Sequence, residues 1–204
     1  MSRSSSKHRR QTTSAPPGSV RIVAGKWRRR RLKFDDQPGL RPTPDRVRET
    51  LFSWLTPVIR GSRCLDLFAG SGALGFEAAS RGAAHVTMVE QDRGRAALLE
   101  KYRRELSATE VHLIEGDAIK WLGVCKATFD IIFLDPPFAT YDLGTICAAV
   151  ERNGLIATSG LVYLETSVKA PPITLPYGWE WFRSQRAGQV RYDLAARNPS
   201  GTGA

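Results

Sequence analysis

From residue 63 onward, short apolar runs alternate with helix-patterned segments, and this constrains the fold more than any other feature of the chain. The runs CLDLFAG (64–70), HVTMVE (85–90), VHLIEGD (111–117), DIIFLDPP (130–137) and LVYLETS (161–167) are rich in Val, Ile, Leu and Phe. GALGFEAASRG, RGRAALLEKYRREL, AIKWLGV and LGTICAAVERNG separate them and read as helices. Strands that are apolar almost throughout must be buried on both faces, which requires a parallel sheet with helices on either side. WEWFRSQ (179–185) and QVRYDLAAR (189–197) read as a closing pair of edge strands, so the expected class is α/β with an antiparallel C-terminal end.

Charge is distributed unevenly. Of the chain's 30 Lys and Arg, 14 lie in residues 1–48 with only 3 of its 20 Asp and Glu, leaving 16 basic against 17 acidic residues elsewhere. A basic N-terminal device on a nearly neutral body points to a polyanionic partner, nucleic acid or an acidic membrane surface, against a merely solvated tail. Residues 1–19 are rich in Ser, Pro, Gly and Arg and are expected to be a disordered basic tail; residues 198–204 are read as a flexible end. VRIVAGKWRRRRLKF (20–34) predicts an exposed β-hairpin turning near Gly25 and Lys26, the core of an arm spanning 20–40. Its second strand would carry Arg28, Arg29, Arg30 and Arg31 on both faces and so cannot be buried. A helix should then open the main domain, 41–197, with Thr43 as N-cap, Pro44 as first helical residue and Val47, Leu51, Trp54 and Leu55 as its apolar face. Cys64, Cys125 and Cys147 make no CxxC pair, and with three His there is no zinc-ligand pattern, so reduced, buried thiols, a cytoplasmic setting and no metal are expected. No apolar run is long enough to span a membrane.

Four strand ends carry chemistry. Leu65-Asp66-Leu67-Phe68-Ala69-Gly70-Ser71-Gly72 runs from a strand through a glycine turn into a helix, and Glu90 ends the next strand 20 residues after Gly70, where a carboxylate can take ribose hydroxyls. This much suits a nicotinamide dinucleotide as well as S-adenosylmethionine. Asp66 favours the second: a buried carboxylate needs a cationic or hydrogen-bonding partner, which an α-amino group supplies and a pyrophosphate does not. Asp117, followed by Ala118, sits where an acid can accept from an adenine amino group, and it can equally cap the next helix.

The most specific element is Asp135-Pro136-Pro137-Phe138 after the strand DIIFL. Two prolines fix φ and remove both N–H donors, leaving carbonyls and a carboxylate as acceptors, with a ring for stacking. Such a corner fits a substrate amino group. A nitrogen conjugated to a base ring is a poor nucleophile, and acceptors on its protons free the lone pair for in-line attack on a sulfonium methyl.

These motifs in this order resemble the class I, Rossmann-like amino-methyltransferases. More narrowly, RIVAGKWRRRRLKF, RPTPDRVRETLFSWL, LDLFAGSGALGFEAASRGA and IIFLDPPF are similar to the RsmD family, over about Val20 to Leu194. The resemblance implies transfer of a methyl group from S-adenosylmethionine to N2 of a guanine in small-subunit (16S) ribosomal RNA. It implies that Asp135, Pro136, Pro137 and Phe138 act on the amino group, and that Asp66, Phe68, Gly70, Gly72, Glu90, Asp117 and Ala118 line the cofactor pocket, with Arg41 and Thr43 near its methionine end. Lys26, Arg28 to Arg31 and Lys33 are expected to contact RNA phosphates. The expected partner is ribosomal RNA or an assembling small subunit, met by a monomer. The alternatives are the same transfer to another RNA or DNA base or to a protein glutamine, a dinucleotide-dependent oxidoreductase, and a non-catalytic RNA-binding module.

Overall fold

The structure, a computed structural model, describes residues 18–34, 43–137 and 141–198. Fourteen elements follow in the order β1 (Gly18–Arg21), β2 (Arg31–Phe34), α1 (Asp45–Leu55), β3 (Arg63–Asp66), α2 (Ala73–Ser80), β4 (His85–Glu90), α3 (Arg93–Glu105), β5 (Val111–Glu115), α4 (Ala118–Val124), β6 (Phe129–Leu134), α5 (Leu143–Arg152), β7 (Ile156–Ser167), β8 (Trp179–Ala187) and β9 (Val190–Arg197).

The main sheet has the order β5-β4-β3-β6-β7-β9-β8. Strands β3 to β7 are parallel, whereas β9 runs antiparallel to both β7 and β8. Successive strand residues feed opposite cores, as the two-residue period requires. Cys64, Ile131, Phe133 and Tyr163 pack under α1, α2 and α3, while Leu65, Ile132, Leu134 and Val162 pack under α4 and α5. Helices therefore cover both faces, as the continuous apolar runs predict. The C-terminal pair is antiparallel as expected, although β9 is interior and only β8 is an edge.

The N-terminal hairpin departs from the expected exposed arm. Val20, Ile22, Leu32 and Phe34 are buried in the same core as α1 and α2. Arg28, Arg29 and Arg30 lie in the turn before β2, not along it, and are exposed together with Lys26, Arg31 and Lys33. The hairpin is thus docked on one side and cationic on the other. Gly25 explains the close docking: its φ is +82°, and a Cβ there would sit 1.9 Å from the Ser80 carbonyl oxygen.

The expected capping of α1 is corrected. Pro44, not Thr43, is the N-cap, because the Thr43 hydroxyl is turned toward β6. Arg48 interrupts the apolar stripe yet is fully buried beside Val47, Leu51 and Phe52. Its guanidinium donates to the carbonyls of Arg21 (2.7 Å) and Thr43 (3.2 Å) and pairs with Asp45 and Glu77. Glu77 in turn accepts the N–H groups of Val23 (2.7 Å) and Ala24 (3.0 Å). One buried ion pair therefore joins the hairpin, α1 and α2, and its remaining polar atoms are satisfied as burial of charge demands.

Candidate active site

The order β4-β3-β6-β7 places the chain's reversal between β3 and β6, where open α/β sheets form a crevice beyond the strand C-termini. A cavity of about 370 Å³ lies there, within the usual range for small-molecule sites. Its wall includes Asp66, Phe68, Gly70 and Ser71 from β3 and the following loop, Glu90 and Gln91 from β4, Asp135, Pro136 and Pro137 from β6, and Glu165 from β7. Thr43 and the β8–β9 turn, Ala187 to Val190, complete it.

Each wall residue has a structural reason for its position. Asp66 is 2% exposed and accepts the Gly75 N–H at 2.9 Å. Glycine eases this approach, since a Cβ on Gly75 would lie 2.8 Å from the Met88 sulfur and would require that side chain to shift. Gly70 (φ +51°) and Gly72 (φ +76°) turn the chain into α2. Glu90 holds that turn: one carboxylate oxygen accepts the Gly70 N–H at 2.8 Å, and the other accepts Asp92 N–H and the Arg95 guanidinium. Behind the loop, the rings of Phe68 and Tyr141 meet at 5.1 Å.

Asp135 accepts the Thr43 hydroxyl at 3.1 Å. Burial and the neighbouring Glu165 charge hold its carboxyl well above the usual carboxylate range, against the pull of the Thr43 hydrogen bond. Burial likewise pushes Asp66 up to about 7, opposed by the Gly75 N–H and reinforced by Glu90. Glu165 is buried and accepts the Tyr163 hydroxyl at 2.7 Å. Among the described residues the cavity thus presents four acids, Asp66, Glu90, Asp135 and Glu165, against one cation, Arg95, in a chain of net charge +10. Such a wall favours a ligand bearing positive charge and disfavours a pyrophosphate.

The profile described as Conserved hypothetical protein 95 matches residues 20–196. The ribosomal RNA small subunit methyltransferase D of Escherichia coli (strain K12) is 45% identical over 184 residues, covering 90% of this chain and 93% of that protein. Its namesake in Haemophilus influenzae is 42% identical over 192 residues, covering 90% and 96%. This chain belongs to the RsmD family of methyltransferases. The fold agrees: a solved structure from Escherichia coli superimposes with a TM-score of 0.83 at 42% identity, over 90% of this chain and all of that one.

Of the residues that the RsmD resemblance singles out, Thr43, Asp66, Phe68, Gly70, Glu90, Asp135, Pro136 and Pro137 converge on the cavity. Gly72 stands just behind it as the α2 N-cap. Asp117 and Ala118 are not part of the wall: Asp117 caps α4 by accepting the Lys120 N–H at 2.8 Å, and Ala118 is buried in the core beneath α4 and α5. Arg41 and Phe138 lie outside the described residues. Sequence reasoning missed Gln91, Arg95, Glu165 and the β8–β9 turn. Glu165 had a legible signal, since an acid follows the apolar run LVYL just as acids follow HVTMV and DIIFL.

Proposed function

We propose that this chain transfers the methyl group of S-adenosylmethionine to the exocyclic N2 amino group of a guanine in small-subunit (16S) ribosomal RNA. The observation that carries this reading is the acid-walled cavity closed on one side by the Asp135-Pro136-Pro137 corner. The relatives' names supply the small-subunit ribosomal RNA, and the family resemblance supplies the guanine amino group.

The cavity's chemistry fits the cofactor. Asp66 suits the α-amino group, and Gly70, Gly72 and Phe68 bring backbone and ring close to the nucleoside. Glu90 keeps the loop shaped and faces the cavity, where its carboxylate can also take ribose hydroxyls. The adenine contact proposed for Asp117 lies beyond the cavity wall, just after β5, where one of its oxygens caps α4 and the other is left for the amino group. Arg41, near Thr43 in sequence, keeps its proposed place toward the methionine end. When bound, S-adenosylmethionine supplies the electrophilic methyl and its leaving group.

The chain's own part is to present the nucleophile. The Asp135 carboxylate and the Pro136 carbonyl accept the two amino protons and hold the nitrogen lone pair toward the methyl. Pro136 and Pro137 have no N–H to compete for those acceptors, and Phe138 stacks on the base. The proton that the nitrogen sheds after attack passes to the Asp135 carboxylate. Thr43 fixes that carboxylate's orientation, leaving its other oxygen for the substrate.

A guanine in folded RNA must leave its stack to reach such a pocket, at a cost of a few kcal/mol. Lys26, Arg28, Arg29, Arg30, Arg31 and Lys33, exposed on the hairpin, are proposed to offset this through phosphate contacts. The organisation that goes with this is a basic tail (1–19), an RNA-holding hairpin arm (20–40), a methyltransferase domain (41–197) and a short tail (198–204), working as a cytoplasmic monomer. Among the described residues no helix could cross a membrane and no side-chain cluster suits a metal ion. The test is to treat small-subunit particles from a strain deleted for this activity with the protein and S-adenosylmethionine, then analyse the digested RNA by mass spectrometry. N2-methylguanosine at one position is expected; methylated adenine or cytosine would overturn the assignment.

A further inference from the structure

Strand β8 does not behave as a half-buried edge. From Glu180 to Arg186 every residue is exposed, so both of its faces are open. Two large rings stand there, Trp181 and Phe182, each 45% exposed. Apolar side chains of this size on an open edge usually have a partner.

Three observations identify its chemistry. First, the register shifts between Trp181, which faces Ala195, and Arg183, which faces Leu194, so Phe182 is an inserted bulge residue. A bulge breaks the regular row of donors and acceptors on the outer edge, which opposes addition of another strand or of a second copy. Second, the Arg183 guanidinium lies 4.2 Å from the Phe182 ring centre, a cation stacked on an aromatic face, with Arg186 also exposed nearby. Glu180, the only acid on the strand, is tied to Asn198 at 3.0 Å. Third, β8 leads directly to the catalytic wall, because Ala187, Gly188 and Gln189 line the cavity that holds Asp135. At about 3.3 Å per residue, Trp181 stands roughly 20 Å along the strand from Ala187. An RNA with its target base in the cavity is at the right place to lay its neighbours along this strand.

We infer that β8 is a second RNA-holding surface, on which unpaired bases flanking the target nucleotide stack against Trp181 and Phe182 while Arg183 and Arg186 face phosphates. The inference rests on the RNA-methylation reading and adds a contact surface distinct from the N-terminal hairpin. Exposed rings interleaved with guanidinium groups are the usual platform for single-stranded nucleic acid, since every base has a face to stack.

The test uses the full chain with small-subunit particles. Replacing both rings, Trp181→Ala with Phe182→Ala, is expected to raise KM for the particles by about tenfold or more. The turnover at saturation, the affinity for S-adenosylhomocysteine and the circular dichroism spectrum stay at wild-type levels. The aromatic pair Trp181→Tyr with Phe182→Tyr restores KM, which a simple packing defect in the alanine pair would not predict. Cross-linking of 4-thiouridine-substituted RNA is expected to label the 179–187 peptide. Unchanged KM in the alanine pair overturns the inference, as does RNA that cross-links elsewhere on the protein and leaves the 179–187 peptide unlabelled, or a dimer in sedimentation that the alanine pair abolishes. A wild-type protein that methylates no RNA would instead overturn the functional reading itself, so the two failures are distinguishable.

Discussion

The hydroxyl of Thr43 donates to the carboxylate of Asp135 at 3.1 Å, across 92 residues of sequence. The residue that resembles a helix cap is instead the orienting partner of the proposed catalytic acid. The carbonyl of the same residue accepts from Arg48, so the Thr43 backbone is held from behind while its side chain faces the cavity. Replacing Thr43 with Val should lower kcat by roughly tenfold, the scale of one lost hydrogen bond to a charged group, with cofactor affinity little changed. Because that bond lowers the Asp135 pKa, its loss should also move the acidic limb of the pH–rate profile to higher pH. An unmoved limb would separate Thr43 from the reaction.

Asp66, proposed to hold the α-amino group of the cofactor, should make cofactor binding depend on pH. Its carboxyl is raised from 3.8 to about 7 by burial. Below about pH 4 it is neutral in folded and unfolded chains alike; between about 4 and 7 the folded chain keeps a proton that the unfolded chain has lost. This group's contribution to stability therefore falls as pH rises through that window and levels off above about 7. A bound ammonium reverses the preference, because it favours the carboxylate. Calorimetric affinity for S-adenosylmethionine should rise between pH 6 and 7 and plateau beyond, and Asp66→Asn should flatten the curve. An affinity that falls over this range would exclude the pairing.

The Arg48–Glu77 pair should dominate the stability of the hairpin's attachment. Arg48→Met leaves the Glu77 carboxylate buried without one of its cations, a loss of about 3–5 kcal/mol by the usual cost of breaking such a pair. A lowered melting temperature should be accompanied by faster amide exchange at Val23 and Ala24, whose N–H groups Glu77 accepts. Loss confined to global stability, with those two amides still protected, would contradict the linkage.

Gly25→Ala should damage RNA binding without touching the cofactor. The added Cβ meets the Ser80 backbone, and the backbone strain at positive φ costs a further ~1–3 kcal/mol. The hairpin bonds from Lys26 and Trp27 to Ser80 should weaken, displacing the arginines that follow. RNA affinity and its salt dependence should both drop, as they should when Arg28 to Arg31 are neutralised. Wild-type RNA affinity in either variant would remove the hairpin from the interface.

What could be read from the sequence was whatever local backbone chemistry dictates. Unbroken apolar strands require a doubly covered sheet, a glycine turn ahead of a helix opens a ligand site, and consecutive prolines end a strand with bare acceptors. What escaped depends on distant partners. Arg48 is polar in any window of sequence and becomes a core residue only because Glu77 and two carbonyls surround it. The hairpin looked free because four successive arginines mask the alternate Ile22, Leu32 and Phe34 that dock it. The β8–β9 turn reaches the cavity only through β9 inserting antiparallel beside β7, a pairing that no local pattern announces.

The proposal that Asp135 orders the substrate amino group is tested most directly by Asp135→Ala. Methyl transfer to small-subunit particles should be measured beside the variant's affinity for S-adenosylhomocysteine. Loss of at least about a hundredfold in turnover, on the scale of removing one preorganised polar group, is expected with cofactor affinity retained. Turnover near that of the wild type would contradict the assignment.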